Sequence, residues 1–387
     1  MAAKPSLGAD LVGASRLALE AVAGVTELVE AVHMNVLNKA VGTPLVRPVA
    51  GVTRLVYRSV KGVTRLVGGG LDRVLDQLVP ALGEPPGWSG REALLAALNG
   101  VLGDRLAASG NPLAIPMRLR HAKPSAQAGG AGSRILVLAH GLCMNDLQWQ
   151  RDGVDHGATL ARERGYAPVY LRYNSGLHIS LNGRALAQQL ETLVASWPGA
   201  VQEIVIVGHS MGGLVARSAC HVGAQEGHRW PDKLSKLVFL GTPHHGAPLE
   251  RGGNWVHLLT GRNAYSAPFA RLATIRSAGI TDLRHGSVLD ADWEGQDRFA
   301  HGAALPRFLP LPPGVRCHAI AATIGKREGD LADRLLAGDG LVPLASAQGR
   351  HADPARCLAL ESVVLYQTNH MQLLSSPQVA AHLLKWL

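Results

Sequence analysis

Along the first 110 positions apolar residues recur at spacings of three and four, the period of an amphipathic helix, with breaks at GTPL (42–45), GGG (68–70) and GEPPGWSG (83–90). A stretch rich in proline, glycine, alanine and serine follows, NPLAIPMRLRHAKPSAQAGGAGS, and reads as a linker over 111–132. The texture then changes. Short apolar runs appear at 134–140, 167–173, 203–209, 236–242, 317–323 and 361–367, with helix-compatible segments between several of them. Nearly continuous apolar runs alternating with helices indicate a mostly parallel sheet covered on both faces, so 133–387 is expected to be an α/β domain. The 1–110 region is expected to be a separate helical region.

One strand run carries chemistry. In IVIVGHSMGGLVAR (204–217), a buried strand turns at a glycine-flanked serine and passes at once into a helix. That is the context of a nucleophile elbow, which lifts Ser210 above the sheet; Gly208 and Gly212 are needed because side chains there would collide across the turn. A serine nucleophile needs oxyanion donors, a base and an orienting acid. The backbone N–H groups of Met211, next to Ser210, and of Leu142, in the loop of LVLAHGLCMND (136–146), are the expected donors. The best-placed base is His370, after the last strand run and before the final helix; His209, adjacent to Ser210, is expected to project elsewhere. The acid should lie between Ser210 and His370 in the chain, where Asp339 sits in a glycine-flanked loop and Asp330 and Asp333 compete.

The order HG, GHSMGG, GTPHHG, DG-V-P, NH resembles the α/β-hydrolase superfamily, and within it the lipase and esterase branch, including lipases and the inositol deacylases acting on lipid anchors. The resemblance spans about 133–387 and implies a Ser210–His370–Asp339 triad, with Leu142 and Met211 at the oxyanion hole. It leaves the first 110 residues uncovered. His244 and His245 in GTPHHG lack an acidic or cysteine partner at ligand spacing, so a structural or pocket-lining role is expected, with no metal and no cofactor. About 70 residues, 247–315, separate that block from the next strand. They are expected to form a lid or cap, with Trp255, Leu258, Leu259, Phe269 and Leu272 suited to an acyl-chain pocket. The expected reaction is hydrolysis of an apolar carboxylic ester, small-molecule or lipid, through an acyl-enzyme. An acyltransferase on the same triad is one competing expectation. A lipid-surface or granule-associated structural protein is another, although such a role has no need of all three residues in order.

Composition narrows the partners. The 387 residues are 47% hydrophobic, 17% charged and 4% aromatic, with a net charge of +9. No zinc-finger, aromatic RNA-binding or Lys/Arg-dense segment is present in the sequence, so nucleic acid is not an expected partner. Four scattered cysteines without C-x-x-C pairing fit a reducing compartment, and the N-terminus lacks a signal-type apolar run, so a cytoplasmic protein is expected. The charge concentrates early: residues 1–130 hold 14 Lys+Arg against 9 Asp+Glu, a net of +5. There GVTRLV occurs at 51–56 and again at 62–67, an offset close to three helical turns. Val52, Leu55, Val56, Val60, Val63, Leu66 and Val67 make one stripe, with Arg54, Arg58, Lys61 and Arg65 opposite. Packing on the catalytic domain would explain this pattern, and so would peripheral contact with an anionic membrane or lipid inclusion. Co-sedimentation with anionic vesicles separates the two. If the stripe binds lipid, the full chain pellets, the Arg54/Arg58/Lys61/Arg65→Gln variant does not, and binding falls as salt rises. Equal pelleting of a chain lacking 1–110 eliminates the lipid role.

Overall fold

The structure, a computed structural model, describes residues 89–121, 132–247, 277–296, 305–327 and 337–387. The arginine-bearing stripe at 51–67, the competing Asp330 and Asp333, and the expected pocket residues Trp255, Leu258, Leu259, Phe269 and Leu272 lie outside them.

Seven strands form one sheet: β1 (Arg118–His121), β2 (Arg134–Ala139), β3 (Ala167–Arg172), β4 (Glu203–His209), β5 (Leu234–Leu240), β6 (Arg316–Ala322) and β7 (Glu361–Leu365). Their order is β1-β3-β2-β4-β5-β6-β7, with β1 antiparallel to β3 and every other pair parallel. Six of these strands coincide, within two residues at either end, with the apolar runs of the sequence. Ile135–Ala139 in β2 and Ile204–Val207 in β4 are fully buried at consecutive positions, as strands covered on both faces require. The covering helices are α2 (His156–Arg164), α3 (Ile179–Ser196), α4 (Met211–Gln225) and α6 (Pro377–Trp386), with α3 packed on α4 and α2 on α6. A further helix, α5 (Ala278–His285), begins at Ser277, whose side chain accepts from the Ile280 N–H, and ends at Gly286 in the left-handed region (φ 74°). Sheet order and helix placement are those of an α/β-hydrolase fold.

The chain departs from the expected boundaries at its N-terminal side. The helix α1 (Ser89–Ala108) falls in the expected separate helical region, yet residues 89–105 group in one compact unit with 115–387. Residues 106–114 group with a second unit; there the Asn111 N–H closes a turn on the Leu106 carbonyl at 2.8 Å. The strand β1 lies inside the expected linker. Its RLRH sequence alternates charge with a single leucine, too short and polar to stand out as a period-two pattern, and its exposed arginines suit an edge strand.

The reason α1 belongs to the catalytic unit is its packing. Leu95 to Leu102 are buried without a polar face, so the helix cannot face water. Its backbone carbonyls at Glu92, Gly100 and Gly103 accept from Asn145 Nδ2 (3.0 Å), Ser277 Oγ (2.7 Å) and Asn174 Nδ2 (2.9 Å). The helix therefore lies across the loops that follow β2 and β3. A Cβ at Gly100 would stand 2.2 Å from Cys143 Sγ and 2.9 Å from the Cys143 backbone. The described part of the 247–315 insertion is likewise anchored to the core. Asp282 accepts from the Ile179 N–H at 2.8 Å, and the Trp293 ring stacks on His178 at 3.8 Å. Gly100→Ala is expected to destabilise the chain by about 1–3 kcal/mol, since backbone as well as sulfur must move. Urea unfolding at unchanged m-value measures it.

Candidate active site

The site assembles where parallel strands end. β4 runs into Ser210 and α4 starts at the next residue, which forces the serine into the left-handed region at φ 53°, ψ −123°. Such a conformation costs a non-glycine residue on the order of 1–3 kcal/mol, and three neighbouring glycines clear the space that makes it reachable. A Cβ at Gly208 would lie 2.5 Å from the Gly213 backbone, one at Gly212 would lie 2.3 Å from the Ala139 carbonyl oxygen, and one at Gly213 would meet Thr242 Oγ1 at 2.1 Å. The first turn of α4 is thus pressed against the ends of β2 and β5. The Ser210 N–H donates to the Leu240 carbonyl at 2.8 Å and ties the turn to β5.

The loop after β2 supplies the opposite wall. A Cβ at Gly141 would stand 3.0 Å from Ser210 Cβ, so the loop backbone reaches the serine directly. Leu142 and Met211, the expected oxyanion donors, flank Ser210 on these two segments and are fully buried. Among the described residues neither N–H is given to an acceptor. Several contacts hold this loop. His140 stacks on Tyr173 at 4.3 Å, and Tyr173 donates to the His140 carbonyl at 2.8 Å. Burial pulls the His140 imidazole down to about 4, so it is neutral at physiological pH. Cys143 sits in the left-handed region at φ 58°, its N–H donating to Ser175 Oγ at 3.0 Å. Beyond it, buried Asp146 pairs with Arg120 of β1 and lies 3.7 Å from Arg172 of β3. No local pattern in the sequence marks these supports. Each joins residues far apart in the chain.

His370 and Asp339 meet in the interior. His370 Nδ1 donates to Asp339 Oδ2 at 2.6 Å, and both side chains are fully buried. Asp339 occupies a short helical turn (Ala337–Gly340) whose Gly338 adopts φ 64°. Its other oxygen accepts the N–H groups of Leu341 (3.0 Å) and Val342 (2.8 Å), which fixes the carboxylate plane. His370 opens a 3-10 turn capped by Asn369, whose side chain accepts from the Met371 and Gln372 N–H groups. Gly241, the first residue of GTPHHG, adopts φ 57°, and a Cβ there would come within 3.1 Å of both Asp339 Oδ2 and His370 Nδ1. Its glycine makes room for the pair. His370 Nε2 is buried and has no hydrogen-bond partner among the described residues.

One histidine departs from expectation. His209 does not project away; its ring lies 4.6 Å from the His370 ring, and its Nε2 is 3.1 Å from the His370 carbonyl oxygen. Burial, and then the repulsion that a second positive imidazole beside His370 would meet, holds the His209 imidazole well below its ordinary range. A neutral His209 donates through Nε2 and braces the backbone of the His370 turn. His244 and His245 lie after β5, with His244 packed edge-on against Phe239 at 4.6 Å. Among the described residues no cluster of three or more histidine, cysteine or acidic side chains is placed to hold a metal. The four cysteines are free, with Cys143, Cys220 and Cys317 buried and Cys357 exposed. No helix among the described residues is long and apolar enough to cross a membrane.

Residues 133–308 match the model of a family described as the PGAP1-like alpha/beta domain. No curated protein matches the chain significantly. Among solved structures, the mature form of the lipase BlEst2 of Bacillus licheniformis is 17% identical, with a TM-score of 0.41 over 69% of this chain and 98% of that one. An esterase of Pyrobaculum calidifontis is 15% identical, with a TM-score of 0.39 over 70% of this chain and 81% of that one. A thermophilic esterase of Thermogutta terrifontis is also 15% identical, with a TM-score of 0.37 over 70% and 93%. With its sheet order, its strained serine elbow and its PGAP1-like alpha/beta segment, the chain has the α/β-hydrolase fold and resembles the lipase and esterase branch of that superfamily.

Proposed function

We propose that the protein is a serine hydrolase of carboxylic esters that works through an acyl-enzyme on an apolar, small-molecule or lipid ester. The observation that carries the reading is the fully buried His370–Asp339 pair at 2.6 Å, whose outer nitrogen, His370 Nε2, has no partner among the described residues, at the strand ends where Ser210 is held in its strained elbow. A carboxylate that accepts Nδ1–H keeps the imidazole in the tautomer with a bare Nε2 and stabilises the imidazolium once a proton arrives. Two further backbone donors to Asp339 keep that carboxylate from turning away.

In the proposed reaction Ser210 Oγ attacks the ester carbonyl carbon while its proton passes to His370 Nε2. The carbonyl oxygen becomes an oxyanion within reach of the Leu142 and Met211 N–H groups, the latter at the N-terminus of α4, where the helix dipole favours negative charge. The tetrahedral intermediate collapses, the C–O bond to the alcohol breaks, and Nε2–H protonates the leaving oxygen. Water then enters, gives a proton to His370 Nε2 and adds as hydroxide to the acyl carbon; the C–Oγ bond breaks, Nε2–H returns the proton to Ser210 Oγ, and the acid leaves. Asp339 stays ionised throughout. No cofactor enters the scheme.

Activity on p-nitrophenyl esters, triglycerides and phospholipids tests the reading. Ser210→Ala and His370→Ala should each lower kcat by on the order of a million-fold, and Asp339→Asn by about ten-thousand-fold. A fluorophosphonate probe should label the wild type at Ser210 and leave Ser210→Ala unlabelled. A folded wild type that takes up no probe overturns the enzyme reading in favour of a structural role. An Asp339→Asn variant with kcat within about threefold of wild type removes Asp339 as the orienting acid.

A further inference from the structure

A second concentration of chemistry lies away from the serine. A small depression of about 30 Å³, open to solvent, is lined by three arginines (Arg217, Arg307, Arg356), four histidines (His244, His245, His285, His351) and apolar residues, and by no acidic residue among those described. Ser210, Asp339 and His370 do not line it. Arg217 belongs to α4, seven residues beyond Ser210, which is about 10 Å along the helix axis.

Arg217 is the informative member. It is 4% exposed, and among the described residues its guanidinium hydrogen-bonds the Leu309 carbonyl and, at 3.4 Å, His244 Nδ1. Nε has no partner among the described residues, and neither does Nε2 of His244, itself 3% exposed. Among the described residues Arg356 Nε is likewise buried and unpartnered, and its terminal nitrogen donates to the Pro306 carbonyl. No carboxylate is paired with Arg217, Arg307 or Arg356 among the described residues. Burial pulls the Arg217 guanidinium down to about 10, which leaves it charged at neutral pH. A buried cation without a counter-ion, in a wall of further cations, is unfavourable unless an anion completes it.

The geometry points to a binding site for a phosphate group in this depression, held by Arg217, Arg307 and Arg356 with His244 Nε2 as an additional donor. One bidentate arginine satisfies a planar carboxylate, whereas three guanidiniums and a nearby imidazole offer donors from several directions, as a tetrahedral oxyanion with three or four oxygens requires. The phosphate arrives either free or as part of a lipid headgroup. Phosphate binding in the depression is independent of the ester chemistry and is read without turnover.

Isothermal titration of the full-length chain with inorganic phosphate and with glycerol 3-phosphate, at low ionic strength, tests it. One site per chain is expected, weakened by about tenfold or more in Arg307→Gln/Arg356→Gln, whose side chains lie at the rim and whose thermal melting serves as the folding control. Glycerol 3-phosphate binding about tenfold tighter than phosphate identifies a headgroup site, and equal affinities identify a free-phosphate site. In the wild type, phosphate should also slow phenylglyoxal modification of Arg356, read on its peptide by mass spectrometry, so the test does not rest on variants alone. Absence of a phosphate isotherm together with unprotected Arg356, or unchanged affinity in a folded double variant, overturns the proposal.

Discussion

The close approach of backbone to backbone at the start of α4 is the constraint from which the rest of the site follows. Gly212 brings the helix within a Cβ radius of the Ala139 and His140 carbonyls, Gly208 faces Gly213 across the turn, and Gly213 abuts Thr242. No side chain fits in those three places. Because they are empty, Ser210 can take a left-handed backbone conformation that its own Cβ disfavours, and the loops after β2 and β5 can converge on it. The elbow is therefore a consequence of packing density as much as of local turn preference.

Around that elbow the protein stacks supports outward. Asp339 is clamped by two backbone N–H groups, the His370 turn is capped by Asn369 and braced by His209, and Gly241 leaves the space in which the His370–Asp339 pair sits. On the other side, α1 presses on the loop after β2 at Cys143, and Asp146 pins its far end between β1 and β3. Buried polar groups of this kind are stabilising only when each has its partners. The Asp339 side has them within the chain. Among the described residues Arg217 Nε has none, and that asymmetry separates a carboxylate satisfied by the fold from a guanidinium that calls for a ligand.

Much of this was legible in the sequence, for definite reasons. The six parallel strands are runs of apolar residues long enough to be buried on both faces, and burial on both faces is what makes such runs continuous. The elbow was legible because its glycines are imposed by local sterics. HG, GHSMGG, GTPHHG and NH, the motifs that suggested the α/β hydrolases together with DG-V-P, lie at or just after strand ends, where chain order and spatial order agree. Edge strand β1 escaped notice because four residues with two arginines carry no hydrophobic period. The membership of α1 in the catalytic unit escaped because an apolar helix reads the same whether it packs on its neighbours in sequence or on a loop 40 residues away.

What the sequence determined by itself was the fold class and the identity of the candidate nucleophile, because period, glycine placement and strand-to-helix transition are properties of consecutive residues. Only the tertiary structure decided which carboxylate meets His370, where His209 turns its ring, and which arginine is buried with no carboxylate partner among the described residues. Those are properties of residues brought together from distant parts of the chain. Asp339 and His370 are 31 residues apart, and Arg217 and Leu309 are 92. Side-chain pairing over such separations depends on the depth and direction of every element between them, and no local pattern encodes that.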